Sequence, residues 1–266
     1  MSLHTEKVEI PLQDGARMGG YLARPEGRDA LPGVIVYMEI FGINSHIRGV
    51  TEKIASEGFV ALAPDYFHRT GPGIELGYND AGMAEGMKHL GGLQADQMIS
   101  DAQASIDFLD ARQDVRGKGI GAMGFCIGGH MAYLTACETN VAAAAAYYGG
   151  GIAAPRGPGG GVSTVSRTSK IKGRIHCYFG GQDSMIPIDQ VDAIRRALED
   201  AATRHDVQVY ADADHGFNCD QRATWHEASS KDGLRRRRTY PARSTWLRNT
   251  PRCSAPRTAA SSESAP

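Results

Sequence analysis

"MGFCIGGH", residues 123–130, sets a single cysteine among glycines directly after the apolar run GIGAM. A sharp strand-to-helix turn leaves no room for side chains two positions before and two positions after its central residue. Here those positions are Gly124 and Gly128, with Gly129 beside them. Such a turn lifts the Cys126 sulfur clear of a sheet and points N–H groups of the new helix at it, and a helix N-terminus favours a thiolate. The competing reading makes Cys126 a small apolar filler in a tight turn. The rest of the chain decides between them.

Upstream, VEIPLQDGARMGGYLARPEG reads as two short strands around an Asp-Gly turn at 14–15. GVIVYM (33–38) is a continuous apolar run, as expected for a strand buried on both faces. SHIRGVTEKIASEG (45–58) is predicted helical, with Ser45 as N-cap and Gly58 just past its end, and FVALAPD (59–65) returns as a strand. YFHRTGPGIELGYND is read as a long loop, and residues 95–112 as a helix with Met98, Ile99, Ala102, Ile106 and Leu109 on one stripe. Downstream of the cysteine come the helix IGGHMAYLTAC and the strands AAAAAYYGG, RIHCYFG and DVQVYAD, the last two flanking a helix from Ile188. The glycine-rich loop 155–166 lacks the GK[ST] of a phosphate-binding loop. Strand and helix alternate, so the fold class is α/β, with a mostly parallel central sheet and helices on both faces.

A thiol nucleophile needs a base, and the base needs an orienting group. Asp183 lies in the loop GQDSMIP after strand RIHCYFG, and His215 in ADHGFN after DVQVYAD. Taken singly, Asp183 is equally readable as a helix cap and His215 as a turn residue. Together they complete the order Cys126…Asp183…His215, the nucleophile, acid, histidine order of α/β-hydrolases. In a parallel sheet all three loops open on one edge.

The stretches MEIFGIN (38–44), APDYF (63–67), GFCIGG (124–129), AYYGGGI (146–152), GQDSMIP (181–187) and DHGFNCDQR (214–222) carry a family resemblance. Over residues 5–228 the chain resembles the dienelactone hydrolase family, the carboxymethylenebutenolidase-like α/β-hydrolases. The resemblance implies the α/β-hydrolase fold, a Cys-His-Asp triad of Cys126, His215 and Asp183, and hydrolysis of lactone or activated ester bonds through an acyl-thioester. It also implies a role for Glu39 in controlling the charge state of the thiol, and an oxyanion hole from the backbone N–H groups of Ile40 and Ile127. The family's enzyme holds a substrate carboxylate with two arginines. Arg69 and Arg222 are the candidates here, although neither matches position by position.

No cofactor is called for. Five scattered cysteines form no CxxC and no even framework, so reduced thiols in a cytoplasm are expected rather than disulfides. Cys137 and Cys177 read as buried packing, His176 as structural, and Cys219 as a thiol with no second metal ligand at usual spacing, so no metal site is expected. The net charge of −1 and the lack of a 20-residue apolar run give no reason to expect nucleic acid or membrane as partner. The N-terminus has no basic region followed by an apolar run, so no secretory signal is expected. The expected partner is a small lactone or ester, with a monomer or small homo-oligomer as the assembly.

Charge is uneven along the chain. Residues 231–266 hold one Lys and eight Arg against two acids, a net +7, which leaves −8 on residues 1–230. That segment also carries RRRR and many Pro, Ser, Thr and Ala with no sustained periodicity. The reading is therefore one hydrolase domain over 1–230 and a basic tail over 231–266, disordered from about Lys231 and dispensable for chemistry. Two other functions fit parts of the pattern. A glutamine amidotransferase shares the Gly-x-Cys-x-Gly turn, but it carries its acid two residues after the histidine, where this chain has Phe217. A non-catalytic or redox-responsive binding protein on the same fold is the other.

Overall fold

The first two strands, β1 (Leu3–Pro11) and β2 (Arg17–Pro25), form the antiparallel hairpin expected around the Asp-Gly turn. Gly15 there has φ of 84°, a conformation that favours glycine. Then follow β3 (Gly33–Tyr37), β4 (Val60–Pro64), β5 (Gly121–Phe125), β6 (Ala143–Tyr147), β7 (Arg174–Gly180) and β8 (Arg204–Tyr210). All eight join one sheet in the order β1-β2-β4-β3-β5-β6-β7-β8. β2 pairs antiparallel with β4, and every pairing from β4 to β8 is parallel. The computed structural model describes residues 2–27, 30–116 and 119–239 of the chain.

Every residue of β3, β4 and β5 is buried, which explains why these strands read as continuous apolar runs rather than alternating ones. The helices are α1 (Ser45–Ser56), α2 (Asp80–Gly91), α3 (Ala95–Asp110), α4 (Ile127–Glu138), α5 (Ile188–Asp200) and α6 (Glu227–Thr239). The chain steps from β3 one way to β4 through α1, and the other way through α3, α4 and α5. Right-handed crossovers then put α1 on one face and α3 to α5 on the other. α4 is buried along its whole length from Ile127 to Cys137, as a helix apolar all round must be.

Three local readings change. Asn44, not Ser45, caps α1, its side-chain oxygen accepting the Ile47 N–H at 3.2 Å. α2 stands where the sequence offered only loop and connecting stretch. Its three glycines lower intrinsic propensity, and tertiary contact compensates: a Cβ at Gly86 would lie 2.5 Å from the Ile40 carbonyl oxygen, so only glycine lets α2 approach that close.

The third concerns the expected boundary at Lys231, which falls inside α6. Polar contacts and a small residue hold this helix where apolar area is scarce. Ser230 donates to Asn218 at 2.9 Å, the Tyr210 hydroxyl donates to Asp232 at 3.1 Å, and Gly233 sits against the Tyr147 ring. Residues 240–266 of the expected tail, with Cys253, lie outside the described residues.

Candidate active site

The C-terminal ends of the parallel strands deliver the site. Glu39 follows β3, Cys126 follows β5, Asp183 follows β7 and His215 follows β8. Cys126 has φ of 57° and ψ of −122°, a backbone state few residues other than glycine adopt, which costs on the order of 1–3 kcal/mol. The turn around it is as tight as its glycines imply. A Cβ on Gly124 would lie 2.1 Å from the Gly128 carbonyl oxygen, and one on Gly128 would lie 2.4 Å from that of Met38. The Cys126 N–H donates to the Tyr147 carbonyl at 3.1 Å, tying the turn to the end of β6.

His215 and Asp183 meet across 32 positions of sequence, Nδ1 to Oδ2 at 2.8 Å. The second Asp183 oxygen accepts the Met185 N–H at 2.9 Å, so the carboxylate is fixed at both ends. Burial alone would depress the imidazole. The nearby Cys126 sulfur and the Asp183 carboxylate outweigh it and push His215 up to about 10. His215 Nε2 is buried and has no well-aligned hydrogen bond among the described residues, although Cys126 lies close enough to act on the imidazole as a hydrogen-bonding partner. The Cys126 side is thus where that nitrogen is free to exchange a proton.

Glu39 is fully buried. Its Oε2 accepts from the Tyr78 hydroxyl at 3.0 Å, and its Oε1 accepts from Arg222 Nη1 at 3.3 Å. Arg222 also lies over the Phe41 ring at 5.9 Å, and Gly216 leaves space for its guanidinium. Ile40 is held between Phe41, whose carbonyl accepts the Leu76 N–H at 2.9 Å, and Gly86 of α2. Ile127 is the first residue of α4, so its N–H has no helix carbonyl four residues before it, whereas those of Gly129 and His130 donate to the Cys126 carbonyl. Ile127 thus belongs to the cysteine turn, and the Met38 carbonyl, two residues before Ile40, packs against the same turn at Gly128.

Arg69 is not brought into this group. Its guanidinium is engaged by Asp101 at 2.6 Å, by His68 at 2.7 Å and by Asp14 at 3.6 Å. Asp101 is almost fully buried, and its carboxylate needs that partner. The tyrosines were missed by sequence reasoning: Tyr66, whose hydroxyl donates to the Met38 carbonyl at 2.6 Å, Tyr78 on Glu39, and Tyr148 against His215. Tyr66 and Tyr148 do sit in the quoted stretches APDYF and AYYGGGI, which marked them without assigning a task.

The other histidines and thiols divide cleanly. Burial pushes His130 down to about 4, so it is neutral, with Nδ1 2.8 Å from the Gly150 carbonyl and Nε2 2.7 Å from the Thr164 hydroxyl. His176 is likewise pushed down to about 4, first by burial and then by Arg174. Burial raises Cys137 and Cys219 each to about 12. Cys219 is not as isolated as its sequence spacing implies. His46, from the first turn of α1, and Asp220 bring their ligand atoms within 4.8 Å of its sulfur and of one another. No described helix is long and apolar enough to cross a membrane.

Comparison with known proteins gives the site its relatives. The model of the dienelactone hydrolase family matches residues 18–241. A Synechocystis protein provisionally named carboxymethylenebutenolidase is 39% identical over 233 residues, covering 87% of this chain and 94% of its own. A Pseudomonas carboxymethylenebutenolidase is 31% identical over 214 residues, covering 80% and 84%. The crystal structure of a provisionally assigned dienelactone hydrolase from Klebsiella pneumoniae superposes with a TM-score of 0.80 at 32% identity, covering 89% of this chain and 97% of that one.

Proposed function

Since the chain belongs to the dienelactone hydrolase family and is a carboxylic ester or lactone hydrolase, we propose that it cleaves small lactones or activated esters through a Cys126–His215–Asp183 triad. The single observation that supports this most is the 2.8 Å Asp183–His215 bond, which turns Nδ1 to the carboxylate and leaves Nε2 for Cys126.

In this mechanism His215 takes the Cys126 proton, and Asp183 holds the imidazole in orientation and stabilises its cation. The sulfur attacks the substrate carbonyl carbon. Negative charge develops on the carbonyl oxygen, where the N–H groups of Ile40 and Ile127 receive it. Collapse expels the alkoxide or enolate, which His215 protonates, and leaves an acyl-thioester on Cys126. Water deprotonated by His215 then attacks the thioester, releasing the acid and restoring the thiol. A thiolate is itself readily expelled from a tetrahedral adduct. The mechanism therefore suits substrates with good leaving groups, such as enol lactones and aryl esters, better than amides.

Glu39 sets the electrostatics around the sulfur, because a buried carboxylate near a thiolate disfavours the second negative charge. Arg222 offsets it, and is the residue assigned to a substrate carboxylate where one is present. Arg69 is left out, being committed to Asp101.

The test is turnover of para-nitrophenyl acetate and of an enol lactone. Cys126→Ala should abolish both, and Cys126→Ser should fold and lose most activity. His215→Ala and Asp183→Asn should combine far less than multiplicatively in kcat/KM. Undiminished turnover by Cys126→Ala, or multiplying defects, would overturn the triad.

A further inference from the structure

Tyr148 stands directly after β6, at the same sheet edge as Glu39, Cys126, Asp183 and His215. Its φ of 37° lies in the region L residues rarely adopt, so the backbone there is strained. The Tyr148 N–H donates to the Tyr178 carbonyl at 2.7 Å, which holds the strained residue in place. Its ring meets the His215 imidazole edge-on at 5.2 Å and the Phe217 ring at 5.0 Å. The phenol is therefore packed between the His215 and Phe217 rings.

Tyr148 is fully buried, and its hydroxyl has no hydrogen-bond partner among the described residues. Three other buried tyrosines are satisfied: Tyr37 by Thr135 at 3.0 Å, Tyr66 by the Met38 carbonyl at 2.6 Å, and Tyr133 by Thr168 at 2.6 Å. A buried hydroxyl left unbonded costs stability and calls for a reason. The Tyr148 ring also lies 6.2 Å from that of Phe125, the residue before Cys126, and the titratable groups whose fields reach the hydroxyl are Glu39, Cys219, Cys126 and Arg222.

We infer that the Tyr148 hydroxyl is a substrate-binding donor, held for an acceptor oxygen in the acyl portion of the ester. This rests on the hydrolase reading above. His215 protonates the leaving group, so the leaving group lies on the imidazole side of Cys126. The acyl chain then extends the other way, on the side of Glu39 and Arg222, whose fields reach the hydroxyl. Arg222 keeps 15% of its side chain exposed and Cys126 is partly exposed, so the site reaches solvent on their side.

The experiment compares wild type with Tyr148→Phe on two isosteric esters, para-nitrophenyl methoxyacetate and para-nitrophenyl butyrate. They differ in one position of the acyl chain, an ether oxygen in place of a methylene. The variant should lose kcat/KM on the methoxyacetyl ester by a factor at least about fivefold larger than its loss on the butyryl ester, the size of one net hydrogen bond. Its Tm should equal or exceed that of wild type, since a hydroxyl without a partner has been removed. Equal losses on the two esters, or a lowered Tm, would overturn the assignment. A wild-type chain inert toward both esters would instead overturn the hydrolase reading and this one with it.

Discussion

Glu39 and Arg222 are 183 residues apart in the chain and 3.3 Å apart in the fold, Oε1 to Nη1. The carboxylate has no solvent exposure, and the guanidinium keeps little. Removing one partner of such a pair leaves an uncompensated buried charge, whereas removing both does not. Arg222→Gln should therefore destabilise the chain by about 3–5 kcal/mol in urea unfolding, with most of it recovered in Glu39→Gln/Arg222→Gln. Additive losses would mean the pair is not coupled. Glu39→Gln alone should shift the pH profile of kcat/KM, and an unchanged profile would remove Glu39 from the mechanism.

Among the four cysteines of the described region, Cys126 alone is partly exposed, while Cys137, Cys177 and Cys219 are buried and raised by burial. Limiting iodoacetamide should therefore modify Cys126 first, with activity falling one-for-one with label. Peptide mass spectrometry locates the adduct. Label on Cys137, Cys177 or Cys219 before Cys126 would contradict this.

His215 carries the main pH dependence of stability at the site. Its pKa is raised from 6.5 to about 10, because Cys126 and Asp183 outweigh the opposing effect of burial. A raised folded-state pKa adds stability that is fully present below about 6.5 and is lost as pH rises through about 10. The stability difference between wild type and His215→Gln should therefore shrink steadily across that window. A constant difference from about pH 6 to about pH 10.5 would show that the imidazole gains no proton affinity on folding.

Gly128 has no room for a methyl group, because its Cβ would press on two backbone oxygens, those of Met38 and Tyr37, rather than on a flexible side chain. Gly128→Ala should cost at least about 1–3 kcal/mol and displace the cysteine turn. Loss of most esterase activity in whatever chain still folds is the expected result. A stable, fully active alanine variant would show that the turn tolerates a side chain there.

Helix α6 runs across the composition boundary at Lys231. Ser229 and Ser230 are buried, and α6 is tied to Asn218 and Tyr210. A chain ending after residue 239 should keep kcat/KM within a few-fold of the full chain, whereas one ending after residue 226 should unfold at a lower Tm. Equal Tm for the two would return the boundary to the neighbourhood of Lys231.

Much of the architecture was legible in local sequence. The apolar runs of β3 to β5 read as doubly buried strands, and the glycines at 124 and 128 read as a turn too tight for side chains, because both constraints act between near neighbours. The order Cys126, Asp183, His215 was legible for a related reason. Parallel strands deliver successive loops to one edge, so chain order plus strand count brings the three together.

Helix α2 and the persistence of α6 past Lys231 were not, because their weak propensities are overridden by distant partners, the Ile40 carbonyl for one and Tyr210 and Asn218 for the other. The charge pairing was hidden in the same way. Composition offered Arg69 and Arg222 alike, and only the fold sends one to Asp101 and the other to Glu39. Tyr148 shows the limit most plainly: its sequence neighbours mark a strand end, but a hydroxyl without a partner exists only once every surrounding side chain has its place. Sequence specifies what the backbone must do over a few residues, and three-dimensional packing decides which charges and hydroxyls meet across a hundred or more.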